Sequence, residues 1–175
     1  MSQGLGWRVR HGYGVAAFSL AIVNSAIMFF LMKFLMDHAG LSGWAAGLVV
    51  FVGKVWDAVS DPLAGRLSDA TRSPMGPRRS WIAAGILPLT GLFGLLWWGL
   101  PVEGLAAVAV YGLVLLLYNT AYTVVVVPYG ALTPSLTRDY DERTRLNAAR
   151  MAWSMVGGLV ASVGMAVALG AAPPG

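Results

Sequence analysis

Two aspartates four residues apart, with a lysine three residues before the first, lie in the stretch VGKVWDAVSDPLAG, whose other residues are mostly apolar or small. On a helix Asp57 and Asp61 share one face, with Cβ atoms about 5–6 Å apart, and Lys54 joins the same stripe. Ionised groups on a lipid-facing surface are costly, so the spacing predicts a stripe turned to a bundle interior or a water-filled cavity. Two carboxylates and one ammonium leave a net charge of −1, which one monovalent cation or one shared proton neutralises. Hard cations such as sodium take oxygen ligands, by the logic that governs calcium and magnesium sites. Ser60 and Thr123 are candidates to add hydroxyl oxygens. The chemistry these residues can perform is reversible cation binding, with no metal beyond that monovalent ion. The competing reading is a buried ion pair of Lys54 with one aspartate, fixing helix packing and binding nothing. Charges at membrane depth mark function more often than packing, which favours the cation site.

The elements that must position this stripe follow from composition. The chain has 175 residues, 57% hydrophobic and 11% charged, with a mean hydropathy of +0.67. A soluble domain carries about 25% charged residues, so the deficit points to an all-α integral membrane protein. There is no cysteine, which excludes disulfides and thiolate metal ligation. The net charge of +4 would suggest nucleic acid in a soluble chain. Here the basic residues fall between apolar runs, so they read as topology signals and no nucleic-acid partner is expected. About 20 apolar residues span the hydrocarbon. Five segments qualify, near 13–36, 43–65, 81–100, 105–127 and 148–170. The first is too long for a signal-peptide core.

Pro88 should kink the third span, and the small residues of GWAAG and GGLVASVG suit close helix contact. Arg8 and Arg10 precede the first span. Arg66, Arg72, Arg78 and Arg79 lie between the second and third, and Arg138, Arg143, Arg145 and Arg150 between the fourth and fifth. These ten of twelve basic residues mark one side, which places the N-terminus in the cytoplasm and Gly175 outside, in a multi-pass protein of the inner or plasma membrane. Of the two others, Lys54 is in the stripe and Lys33 is close enough to a helix end to snorkel outward. Asp37 and His38 read as a solvated outer turn, RDYDERTR as a solvated loop with alternating charges, and Trp97 with Trp98 as an interfacial belt.

KVWDAVSDPLAGRLSDATRS, followed by a glycine and basic residues, resembles the signature of the glycoside–pentoside–hexuronide:cation symporters, melibiose-permease-like members of the major facilitator superfamily. VPYGALTPSLTRDYDERTR matches a second pattern of that family, and GYG with LMD fits the ends of its first span. The resemblance runs from about Gly12 to Ala161. It implies a major-facilitator-type helix bundle and transport of a small solute coupled to sodium or protons, without a cofactor. It assigns the coupling cation to Asp57 and Asp61, with oxygen from Ser60 and Thr123, and makes Lys54 their charge partner. It assigns an inner-loop gate to Gly65, Asp69, Arg72, Gly76, Arg78 and Arg79, although Pro77 stands where a basic residue is usual.

Sugar-transporting members of that family carry an aspartate early in the first span and another late in the fourth, where this chain has Ala21 and Val126. Tyr122, Asn24 and Asn119 remain as polar candidates for the solute, which weakens a sugar and favours an amphipathic, lysolipid-like molecule. The family fold has twelve spans. The first five are expected here, as the N-terminal part of a transporter domain over residues 1–175 whose second helical half is missing. Two other classes compete. Gly53, Asp57 and Asp61 have the spacing that closes the CDP-alcohol phosphotransferase signature, whose metals need an upstream acidic segment that residues 37–52 do not supply. A non-transporting membrane interaction subunit is the remaining alternative. An intramembrane aspartyl protease is disfavoured, because its aspartates face each other from different helices.

Overall fold

The computed structural model describes residues 6–137 and 139–171. Six helices follow in order: α1 Trp7–Asp37, α2 Gly43–Ala70, α3 Pro77–Leu96, α4 Gly104–Ala131, the single turn α5 Thr133–Leu136, and α6 Tyr140–Ala171. Among the described residues, five helices are long and apolar enough to cross a membrane. Arg138 and residues 172–175, placed on opposite sides by the topology expectation, lie outside the described residues, as does the Arg8 side chain.

Local signals set the helix ends. The α1 carbonyls are closed off where Leu41 N–H reaches Leu35 O at 3.0 Å, with Gly40 at φ +66° turning the chain. Ser42 caps α2, its hydroxyl accepting from Ala45 N–H at 3.4 Å. Gly76 takes φ +90°, which other residues rarely adopt, and Pro77 opens α3 with its φ already helical. The third span therefore occupies Pro77–Leu96, about four residues earlier than its apolar run predicts. Both α2 and α4 contain an interior proline, Pro62 and Pro128. The expected Pro88 is within α3.

The largest departure is at the run expected to be a solvated loop. RDYDERTR supplies the beginning of α6, eight residues before the predicted span. Asp139 caps it by accepting from Glu142 N–H at 3.0 Å, and Asp141 and Glu142 place negative charge in the first turn, where the helix dipole favours it. Charge alternation alone cannot distinguish a loop from a capped helix start.

The helices form two compact units, Met1–Leu31 with Leu132–Pro173 and Met32–Ala131. In the first, α1 and α6 approach so closely that a Cβ on Gly157 would come 2.5 Å from the Phe18 carbonyl oxygen. The small-residue run GGLVASVG thus makes the contact its spacing suggests. GWAAG contributes differently, through fully buried Ala46, while Gly47 faces open space.

In the second unit α2 and α3 both pack on α4, whose Tyr111, Leu115, Tyr118, Thr123 and Pro128 are buried. One end is sealed by aromatic rings. Trp97 lies edge-on to Phe34 at 5.1 Å and near Phe93 at 6.1 Å, so it packs inside the unit, whereas Trp98, the other residue of the expected belt, is exposed. Tyr111 hydroxyl donates to Trp98 O at 3.1 Å and accepts from Leu100 N–H at 3.2 Å, tying off the end of α3. Asp37 ends α1 in an ion pair with Lys33, and His38 stacks on Phe34 at 5.3 Å. Lys33, Asp37 and His38 are all exposed, in keeping with the solvated turn expected there.

Candidate functional site

The stripe is built on the middle of α2. Its helical spacing presents Lys54, Asp57, Ser60 and Asp61 toward one side, and α4 supplies the hydroxyl opposite. Thr123 Oγ1 donates to Asp61 Oδ1 at 2.8 Å, and Ser60 Oγ stands 3.4 Å from Thr123 Oγ1. Ser60 and Thr123 are both buried. Lys54 Nζ meets Asp57 Oδ2 at 3.1 Å, with side chains 60% and 27% exposed.

The two aspartates are therefore held differently. Asp61 is oriented by a neutral donor from a neighbouring helix. Asp57 is balanced by a charge on its own helix, one that a flexible stem can withdraw. Lys54 thus supplies the positive charge beside Asp57. Breaking this pair frees a carboxylate within a turn of Asp61, Ser60 and Thr123, an all-oxygen set suited to a hard cation. The Ser60 contacts, 3.4 Å both to Thr123 Oγ1 and to the Asp57 carbonyl, are long for hydroxyl hydrogen bonds and leave its proton easily redirected.

The three polar residues considered for a solute are not alike. Asn119 is buried, and its Nδ2 donates to Gly53 O at 3.0 Å, which joins α4 to α2 at the residue before Lys54. Tyr122 is half-buried and stacked on Tyr118 with ring centres 6.1 Å apart. Asn24 is exposed on α1, in the other unit. Sequence reasoning passed over Trp56, whose indole N–H donates to Thr120 Oγ1 at 2.8 Å. The signal was available: Trp56 and Asp57 are adjacent, and Thr120 precedes Thr123 by three, nearly one turn.

At one end of α2 the basic loop is knitted together by one arginine. Arg78 Nη2 donates to Asp69 Oδ1 at 3.2 Å and its Nη1 to Ala131 O at 2.7 Å, so the end of α2, the start of α3 and the last carbonyls of α4 converge there. A guanidinium suits such a place, because its planar fork serves two acceptors and its charge favours a helix C-terminus. Trp81 Nε1 donates to Thr71 Oγ1 at 2.8 Å beside it. Arg72 and Arg79 are exposed, Gly76 provides the left-handed turn, and Gly65 approaches Val127 of α4. Of the six residues expected to form an inner gate, Asp69 and Arg78 thus make a direct pair.

Comparison with known proteins gives this arrangement a context. An uncharacterized symporter of Synechocystis, sll1374, is 36% identical over 99% of this chain and 34% of its own length. A glucuronide carrier protein homolog of Escherichia coli is 33% identical over 86% of this chain and 33% of its own. The sodium-dependent lysophosphatidylcholine symporter 1-A of Danio rerio is 35% identical over 79% of this chain and 26% of its own. The chain spans about a quarter to a third of the length of these relatives. The family model for MFS/sugar transport proteins matches residues 12–174. With five helices able to span a bilayer and a family match over nearly its whole length, this multi-pass membrane chain belongs to the MFS/sugar transport protein family.

Proposed function

We propose that this chain carries the cation-binding part of a cation-coupled secondary transporter, a symporter rather than an enzyme. The observation that carries the reading is the unequal holding of the two aspartates, Asp61 by Thr123 and Asp57 by the exchangeable Lys54. An incoming sodium ion takes the place of the Lys54 ammonium on Asp57, with Asp61, Ser60 and Thr123 completing its oxygen shell. A proton shared by the two carboxylates gives the same charge balance. Relatives named as glycoside/cation and sodium-dependent symporters support a coupling ion.

The solute is a small glycoside or an amphipathic lysolipid-like molecule, bound with help from Tyr122 and meeting a second helical half supplied beyond these residues. Ala21 and Val126 offer no acceptors for paired sugar hydroxyls, which favours the amphipathic class. Asp69, Arg78 and their loop serve as the inner gate. The basic residues orient the chain with its N-terminus in the cytoplasm.

The test is accumulation driven by an imposed sodium or proton gradient, in vesicles containing the chain joined to the second half of a relative. Asp57→Asn and Asp61→Asn should each abolish accumulation while membrane levels are maintained. Normal gradient-driven uptake in both variants would overturn the coupling role, and the gradient that drives the wild type identifies the ion.

A further inference from the structure

The acidic and basic run at the start of α6 does something that the transport reading does not use. Glu142 is 8% exposed, and its Oε1 accepts from Arg10 Nη2 of α1 at 3.0 Å. Its second cation is on its own helix. Arg145, one turn on and largely exposed, brings Nη1 to 3.8 Å from the same Oε1. Among the described residues, the other halves of the buried pair, Glu142 Oε2 and Arg10 Nε, have no partner.

This is a half-made fork. A guanidinium and a carboxylate that face each other can form two parallel hydrogen bonds, and here one has formed. The carboxylate also stands between two arginines that differ in kind. Arg10 joins α6 to α1, whereas Arg145 joins α6 only to itself. Releasing Arg10 would ordinarily strand a buried charge, which is what makes broken buried pairs expensive. Glu142 avoids this by closing the remaining distance to Arg145. Arg10, 29% exposed, has water within reach.

The surrounding contacts keep α6 in place during such an exchange. Asp139 caps Glu142, Arg143 Nε donates to Thr137 O at 3.0 Å, and Tyr13 hydroxyl pairs with Thr133 Oγ1 at 2.7 Å one turn deeper along α1. Below that, Trp153 rests edge-on to Phe18 at 6.0 Å.

We propose that Glu142 is a two-position ionic switch, holding the start of α1 against the start of α6 through Arg10 and letting it go by pairing with Arg145. Two-state elements of this kind are a standard means of letting a helix end move. The switch stands independently of the cation site. It makes an opposed prediction for two arginines of the same charge: losing Arg10 opens the contact, and losing Arg145 closes it further.

The absence of cysteine allows a direct measurement. Spin labels at Gly12→Cys, where a side chain meets nothing within 4 Å, and at exposed Thr144→Cys report the separation of the two helix starts by pulsed dipolar spectroscopy in nanodiscs. In Arg10→Gln the long-distance population should rise roughly tenfold, and in Arg145→Gln it should fall below that of the parent. A reference pair at exposed Leu87 and Leu105 should be unaffected. Shifts in the same direction for both arginines would overturn the switch and leave a plain ion pair. No shift for either, or broadening of the reference pair, would also overturn it.

Discussion

Two of the ion pairs on the apolar helices of this molecule are opposites. Lys54 and Asp57 are three residues apart on one helix, 60% and 27% exposed. Arg10 and Glu142 are separated by 132 positions, belong to different helices, and are 29% and 11% exposed. The first pair can be broken by swinging one flexible side chain, with no helix moving. The second cannot be broken without changing how two helices meet. Exposure and locality thus separate a pair suited to exchanging its cation for a ligand from one whose state sets how two helices meet.

The comparison is broken most directly at the aspartates. Titrating sodium into the purified chain by calorimetry, Asp57→Asn or Asp61→Asn should each weaken binding by about 2–5 kcal/mol, the scale for losing one partner of a close charge pair. Glu142→Gln should leave the sodium affinity unchanged. If Glu142→Gln weakened sodium as much as Asp57→Asn, the division into exchanging and holding pairs would be wrong.

The next largest effect is expected on stability and should run the other way. Glu142→Ala leaves the Arg10 guanidinium without its buried counter-charge, a change that costs about 3–5 kcal/mol when burial is complete and somewhat less here. Asp57→Ala, beside a lysine that extends into open space, should cost under about 1 kcal/mol. Far-UV circular dichroism during detergent-induced unfolding separates these values. Equal destabilisation by the two would show that exposure does not govern the cost.

These contrasts also mark what the sequence discloses. Lys54, Asp57 and Asp61 could be placed on one stripe because helical spacing is a local rule, and Thr123 was found because a hydroxyl in an apolar span is conspicuous. The five spans were legible because a run of about 20 apolar residues is equally local. Glu142 was not, since it sits in a run of charges that alternate as solvated loops do, and its burial depends on an arginine 132 positions away. Trp97 and Trp98 are adjacent and identical, yet one packs against Phe34 and the other is exposed. Periodicity finds faces, but it does not identify what a face meets.

Within the stripe, the hydroxyl that orients Asp61 should matter less than either charge. Thr123→Val removes the donor at 2.8 Å and leaves the carboxylate to find another, at a cost of about 1–2 kcal/mol in sodium affinity. Thr123→Ser keeps the donor and should recover most of it. Equal loss in both variants would show that the hydroxyl donor is not what sustains binding and assign the effect to altered packing at this position.

The smallest effect is expected at a further ion pair, which serves as the control for the two compared above. Lys33 and Asp37 are one turn apart near the end of α1, with side chains 57% and 41% exposed. Like Lys54 and Asp57 they are local, but Asp37 is in the last turn of α1, where the helix dipole disfavours a negative charge. Water reaches both groups, and two long side chains lose freedom when they pair. Exposed helical pairs of this spacing contribute about 0.3–0.5 kcal/mol, and the dipole term opposes even that. Asp37→Asn should therefore shift the unfolding midpoint within experimental error and leave sodium binding intact. A loss comparable to Glu142→Ala would mean that the α1 terminus meets something less polar than water, and that exposure underestimates how strongly a charge pair here is held.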